Sequence, residues 1–190
     1  MGHLSSSSDV DWSKYDETPA IRSLTNMSFR CFDAEETRAF YEDFLGLELA
    51  AAIPTEVESD GKKAEALQVY FRMADGDFLT FYDMPDSVSP EMYTFDPMTL
   101  HIGMKVPNEA AMMAWAERLK ESDIPYLGPM DHDMVRSIYF QDPNGLWLEA
   151  TYQVDEHEAI MQREMDDSED ILKDWNAQTA PKKEAFCKSN

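Results

Sequence analysis

Apolar and polar positions along residues 21–153 switch between a period of two and a period near 3.6, and the order of switching occurs twice. Ile21 to Phe32 alternates as a strand does, with Asn26, Ser28 and Arg30 on one face. Asp33, followed three residues later by Glu36, forms a capping box, and Thr37, Phe40, Tyr41, Phe44 and Leu45 then fall on one helical face. Gly46 is placed to end that helix. Leu47 to Ile53 reads as a strand, the polar stretch through Gly61-Lys62-Lys63 as a loop, and Ala66–Met73 and Phe78–Met84 as a hairpin across Ala74-Asp75-Gly76-Asp77. Residues 85–98, with Pro85, Pro90 and Pro97, read as a connector.

The same order then returns. Thr99 to Val106 predicts a strand; Pro107-Asn108 opens a helix with Ala111, Met112, Trp115 and Leu119 on its apolar side; Tyr126 to Pro129 is short and edge-like. Val135–Gln141 and Leu146–Gln153 flank Asp142-Pro143-Asn144-Gly145. Proline presets φ there, and Asn-Gly tolerates the positive φ of a tight reversal, so the two strands fold back as a hairpin. Alternation puts Trp147 and Glu149 on one face of the last strand and Leu146 and Leu148 on the other. A carboxylate in such surroundings is costly unless a cation or hydrogen bonds compensate it. Beyond Gln153, Ile160, Met161, Met165, Ile171, Leu172 and Trp175 are spaced helically among acids, which predicts one or two amphipathic helices packing on the domain or on a second subunit.

Composition narrows the functional classes. The 190 residues suit one domain or two small modules sharing a core, with residues 1–20 as a polar tail, 21–153 as the domain (modules 21–84 and 98–153) and 154–190 as a helical extension. Sixteen Lys and Arg against 38 Asp and Glu give a net charge of −22, which argues against nucleic acid or an anionic membrane as partner. No stretch approaches the ~20 apolar residues of a membrane span, and the N-terminus has no secretory pattern. Cys31 and Cys187 make no metal-spacing motif, so a reduced, cytoplasmic protein is expected. Phosphate-binding Gly-rich loops, Cys-x-x-Cys pairs and nucleophile elbows are absent from the sequence.

Several segments resemble the vicinal oxygen chelate superfamily, which includes glyoxalase I, extradiol dioxygenases, fosfomycin-resistance enzymes and bleomycin-resistance proteins. They are Asn26–Asp33; Phe40-Tyr41-Glu42-Asp43-Phe44-Leu45-Gly46-Leu47; His101-Ile102-Gly103-Met104-Lys105-Val106; and Ser137–Glu149. The resemblance covers roughly 21–153 and implies an α+β fold of paired βαβββ modules forming a cupped mixed sheet. It also implies a divalent metal held at positions equivalent to His101, Glu149 and Asn26. Asn26 departs from the His of the dioxygenase-like members and is shorter than the Gln of glyoxalase I; Thr80 stands where glyoxalase I has a Glu, with Asp83 one residue off that face.

His132, Ile138, Tyr139, Asp142, Pro143, Gly145 and Glu149 match the extradiol dioxygenase signature, and Met130 departs from it. The resemblance gives His132 and Tyr139 catalytic roles toward substrate oxygens or O₂. Imidazole and carboxylate donors suit Fe²⁺ or Mn²⁺, and also Ni²⁺ or Zn²⁺. A small metal-dependent enzyme acting on a molecule with vicinal oxygens, most like an extradiol dioxygenase, is therefore expected. The alternatives are a glyoxalase-type isomerase or lyase and a metal-free small-molecule-binding protein of the bleomycin-resistance kind. Two-module relatives commonly form dimers, so a homodimer is expected as well. Each residue also has a plainer reading: His101 as a hydrogen-bonded core histidine, Tyr139 as a strand aromatic, His132 as a loop residue touching solvent, and Arg30 as one half of an ion pair.

Overall fold

The computed structural model of the protein describes residues 23–59, 62–85, 93 and 99–189. The expected tail at 1–20 and most of the connector at 85–98 lie outside the described residues. Two compact units are present, one within Met1–Thr94 that takes in Asp142–Gly145, the other Phe95–Gln141 with Leu146–Asn190.

In the first unit β1 (Asn26–Cys31) leads to α1 (Ala34–Arg38), which continues as a π-helical turn over Ala39–Phe44. Asp33 caps α1 as its sequence predicts: Oδ1 accepts the N–H of Glu36 at 2.7 Å. The widened turn carries a Leu45 N–H bond to the carbonyl of Phe40 at 2.9 Å, and Gly46 follows in left-handed conformation at φ +80. Three strands, β2 (Glu48–Ser59), β3 (Lys62–Arg72) and β4 (Phe78–Asp83), complete a sheet in the order β1-β4-β3-β2, with β1 parallel to β4. Tyr41 stacks on Phe71, centroids 5.2 Å apart, and tilts onto Phe81 at 4.8 Å; all three are fully buried. Aromatic burial of this kind stabilises by about 1.5–3 kcal/mol per side chain.

β2 and β3 run further than the sequence suggests. The polar residues expected to form a loop continue the antiparallel ladder through Ser59↔Lys62, beyond the end of the pairing between β3 and β4. Backbone hydrogen bonds need no apolar face, and Lys63, opposite Glu58, is ion-paired with Glu56.

The second unit repeats the plan: β5 (Ile102–Lys105), α2 (Glu109–Glu121), β6 (Tyr126–Asp131), β7 (Val135–Gln141) and β8 (Trp147–Gln153), ordered β5-β8-β7-β6 with β5 parallel to β8. This is the paired βαβββ arrangement that the sequence implies. Asn108 caps α2, its Oδ1 accepting the N–H of Ala111 at 2.9 Å. The buried side of α2 is Met112, Ala116 and Leu119, while Ala111 and Trp115 are only half-buried, so the helix is rotated slightly from the expected face. The chain ends in one helix, α3 (His157–Ser189). Among the described residues no helix is long and apolar enough to cross a membrane.

Candidate functional site

Glu149 lies on β8 between two neighbouring strands, directly opposite Gly103 of β5 and Tyr139 of β7. Directly paired residues share a face, so the carboxylate, the phenol and the gap at Gly103 open on the same side. Glu149 is 8% exposed and Tyr139 2%. The cost of that buried carboxylate is met by Tyr139, whose hydroxyl donates to Oε1 at 2.6 Å. Burial above all, with the hydrogen bond and negative charge of Glu149 behind it, pushes the Tyr139 phenol up to about 12. Tyr139 is therefore a hydroxyl donor throughout the neutral range.

The same phenolic oxygen lies 3.0 Å from Nε2 of His132. A hydroxyl has one proton, and Tyr139 gives it to Glu149. His132 must then donate its Nε2–H, which fixes the tautomer. His132 is positioned by a tight turn: its N–H bonds the carbonyl of Val135 at 3.0 Å, and Asp133 adopts φ 61, its N–H bonded to Oδ1 of Asp131 at 3.0 Å. That backbone bond, followed by the bond from Arg136, holds the Asp131 carboxyl below the usual carboxylate range.

His101, immediately before β5, approaches the other carboxylate oxygen: its Nε2 is 3.4 Å from Oε2 of Glu149. Its ring also meets Tyr139 edge-on at 5.5 Å between centroids. The 3.4 Å gap exceeds the roughly 2.7–2.9 Å of a charge-assisted bond, so Oε2 is less tightly engaged than Oε1. His101 keeps 28% of its side chain exposed, against 10% for Glu149, so the pair is reached from its imidazole side. The approach depends on Gly103, because a Cβ built there would stand 3.0 Å from Glu149 Oε2. Sequence reasoning missed this residue, although a glycine inside a strand is itself a signal of close approach.

The structure thus brings His101, His132, Tyr139 and Glu149 into one linked group. Asn26 belongs to the first unit. Its side chain is exposed, and Nδ2 donates to Oγ of Ser28 at 3.0 Å; Ser28 in turn lies 2.7 Å from Oγ1 of buried Thr80, its partner on β4. Asp83 is committed elsewhere, accepting the N–H of Ala34 at 2.9 Å. The Asp142–Gly145 turn has a structural role that its motif did not reveal. Tyr41 donates to Asp142 at 3.0 Å, and Asn144 accepts the N–H of Phe32 at 2.8 Å and donates to Asp142 at 3.0 Å.

As a donor set, His101 and Glu149 supply one imidazole nitrogen and one carboxylate oxygen, a pair suited to a borderline divalent cation. Among the described residues no group of three or more His, Cys, Asp and Glu side chains is placed to hold a metal.

Residues 23–150 match the family model described as "Glyoxalase/Bleomycin resistance protein/Dioxygenase superfamily". No curated protein sequence is significantly similar to the chain. Solved structures with a similar fold include an antibiotic binding protein from a Streptomyces species, 22% identical over 72% of this chain and 100% of that one, with a TM-score of 0.52. They also include a fosfomycin resistance protein, FosX, from Listeria monocytogenes, complexed with Mn(II) and a dihydroxypropylphosphonic acid. That protein is 18% identical over 74% of this chain and 99% of its own, with a TM-score of 0.52. A glyoxalase/dioxygenase from Nostoc punctiforme is 19% identical over 73% and 100% respectively, with a TM-score of 0.51.

Proposed function

The chain belongs to the glyoxalase/bleomycin resistance protein/dioxygenase superfamily, and from that premise we propose that it is a metal-dependent enzyme of the extradiol dioxygenase kind. The observation that carries this reading is the 3.4 Å approach of His101 to the carboxylate oxygen of Glu149 that Tyr139 leaves unoccupied. His101 and Glu149 are the residues that would hold Fe²⁺ or Mn²⁺. When bound, such an ion polarises the vicinal oxygens of a substrate as a Lewis acid.

The chain's own groups supply the proton chemistry and the positioning. Tyr139 fixes the Glu149 carboxylate and keeps its own proton at neutral pH. His132, with Nε2–H given to Tyr139, has Nδ1 as its accepting nitrogen, and in this reading it is the group that takes a proton from a substrate hydroxyl. Gly103 leaves the space in which Oε2 stays accessible.

The test is elemental analysis of anaerobically purified and Fe²⁺-reconstituted protein, followed by O₂ uptake with a panel of catechols. His101→Ala and Glu149→Gln are each expected to abolish metal retention while the protein stays folded. Metal binding equal to that of the parent in either variant would show the site to be wrong. Retention of Ni or Zn instead of Fe or Mn would redirect the reading to a glyoxalase-type isomerase or lyase.

A second reading, a metal-free small-molecule-binding protein, is favoured by a donor set that among the described residues of this unit is the pair His101 and Glu149. It is also favoured by an open groove of about 630 Å³ in the first unit, lined by residues that include Phe29, Arg30, Val57, Tyr82, Met84 and Tyr93. Aromatic walls beside a guanidinium suit a planar or anionic ligand. Ligand binding indifferent to chelators would decide for it.

A further inference from the structure

α3 is a 33-residue helix whose large apolar side chains face water: Met161, Met165, Ile171, Leu172 and Trp175 are between 39 and 60% exposed. Met161, Met165, Ser168, Leu172, Trp175 and Thr179 follow one another at steps of four, three, four, three and four residues, which is the a/d spacing of a coiled-coil seam. The seam runs for roughly 27 Å and ends two residues before Pro181, whose ring removes a helical hydrogen bond. A solitary helix with one apolar stripe is a poor structure in water, because helices in proteins draw their stability from packing that stripe.

The charges along the helix say what covers it. Residues 157–170 carry six carboxylates and one arginine, whereas 171–189 carry four lysines and two carboxylates. A parallel pair would set acid against acid over the first half. An antiparallel pair sets the acidic half of each helix against the basic half of the other and also opposes the two macrodipoles. We propose that α3 pairs antiparallel with α3 of a second copy of this chain.

The seam is self-complementary in one symmetric register. Ser168 faces Leu172 of the second copy, Met165 faces Trp175, Met161 faces Thr179, and at the ends Glu158 faces Lys182. Small residues meet large ones at the first and third of these layers. Ile171, beside the two-fold axis, packs on its own counterpart, which accounts for an isoleucine otherwise 58% exposed. The register leaves one like-charge contact, Glu169 near its own counterpart, and Glu169→Gln should tighten the pair.

The experiment uses the full-length chain. Equilibrium sedimentation is expected to give about twice the 21.8 kDa chain mass, and Leu172→Asp, which places a charge at the centre of the seam, should weaken association roughly 100-fold without altering the β-sheet signal. A second measurement does not depend on how that variant folds. In a Cys187→Ser background, Ile171→Cys should form a disulfide-linked dimer under mild oxidation, because only antiparallel pairing brings residue 171 beside itself. Leu172→Cys, which faces residue 168, should not. A monomer, a dimer indifferent to Leu172→Asp, or cross-linking through Leu172→Cys instead of Ile171→Cys would each overturn the proposal. Glu158→Lys and Lys182→Glu should each loosen the dimer, and the double variant should restore it.

Discussion

Tyr139 and Glu149 face each other across neighbouring strands, and the phenol donates a 2.6 Å hydrogen bond to one oxygen of a carboxylate that is 8% exposed. Phenylalanine at 139 would keep the ring packing and remove the donor, so Tyr139→Phe should lower stability by about 1–3 kcal/mol through an under-bonded buried carboxylate. Urea unfolding measures the loss. A change within experimental error would mean that solvent satisfies Glu149 as well as Tyr139 does.

Gly103 stands opposite Glu149 on its other side, and a methyl group there would come within 3.0 Å of Oε2. Gly103→Ala should therefore turn the carboxylate away from His101. On the proposed metal-binding reading, the expected result is at least a tenfold loss of divalent-metal affinity, in the range typical for residues that orient a ligand. The melting temperature should change little, because alanine suits a strand as well as glycine does. Titration calorimetry alongside thermal melting separates the two effects; unchanged affinity would show that Gly103 does not govern the orientation of Glu149.

The Asp142 side chain is bonded by Tyr41 Oη, by the Asn144 N–H and by Asn144 Nδ2, all in a buried setting. Burial, then the negative charge of Asp142, hold the Tyr41 phenol well above its ordinary value, so it stays a donor. Asp142→Ala removes three hydrogen bonds, takes the acceptor from Tyr41 Oη and the Asn144 N–H while Asn144 Nδ2 keeps Thr37, and should cost more than the roughly 1–3 kcal/mol of a single orphaned group. Tyr41→Phe should cost less, and a double-mutant cycle should be strongly non-additive. Additive losses would show that the two residues do not act together.

Cys31 is fully buried, and that burial, opposed by a hydrogen bond with Thr37, pushes its thiol from 9.0 up to about 12. Below pH 9 the thiol is neutral in both folded and unfolded chains and contributes no pH dependence. Between about pH 9 and 12 the unfolded chain ionises while the folded one does not. Stability attributable to Cys31 should fall through that window, by at most about 1.4 kcal/mol per pH unit. Subtracting the pH profile of Cys31→Ala isolates this contribution from tyrosines and lysines titrating nearby. The native thiol should also resist aqueous thiol reagents at pH 8; rapid labelling would contradict its burial.

Much of the fold is legible in local pattern. Asp33 and Asn108 cap helices where their spacing predicts, and Asp142-Pro143-Asn144-Gly145 joins β7 to β8. Each depends on residues a few positions apart. The extension of β2 and β3 was not legible, because a backbone ladder with charged cross-strand neighbours has no apolar signature. Nor was the π-helical turn over Ala39–Phe44, which keeps the expected Phe40 and Tyr41 buried while shifting the hydrogen-bond register by one residue.

The candidate site divides in the same way. Sequence by itself determined the residue types, their order and which face of each strand they occupy, because alternation along a strand is local geometry. It could not say that Glu149 sits between Gly103 and Tyr139, or that His132 donates to the same phenol that holds the carboxylate. Those relationships follow from the pairing register of β5, β8 and β7. Hydrogen bonds between distant segments fix that register, and a slip of one residue would turn Glu149 to the opposite face from its partners. Alternation along β1 already places Asn26 beside Ser28 on one face, and the amide bonds that hydroxyl; only the tertiary structure decided that Ser28 in turn meets buried Thr80, because that contact is set by how β1 pairs with β4.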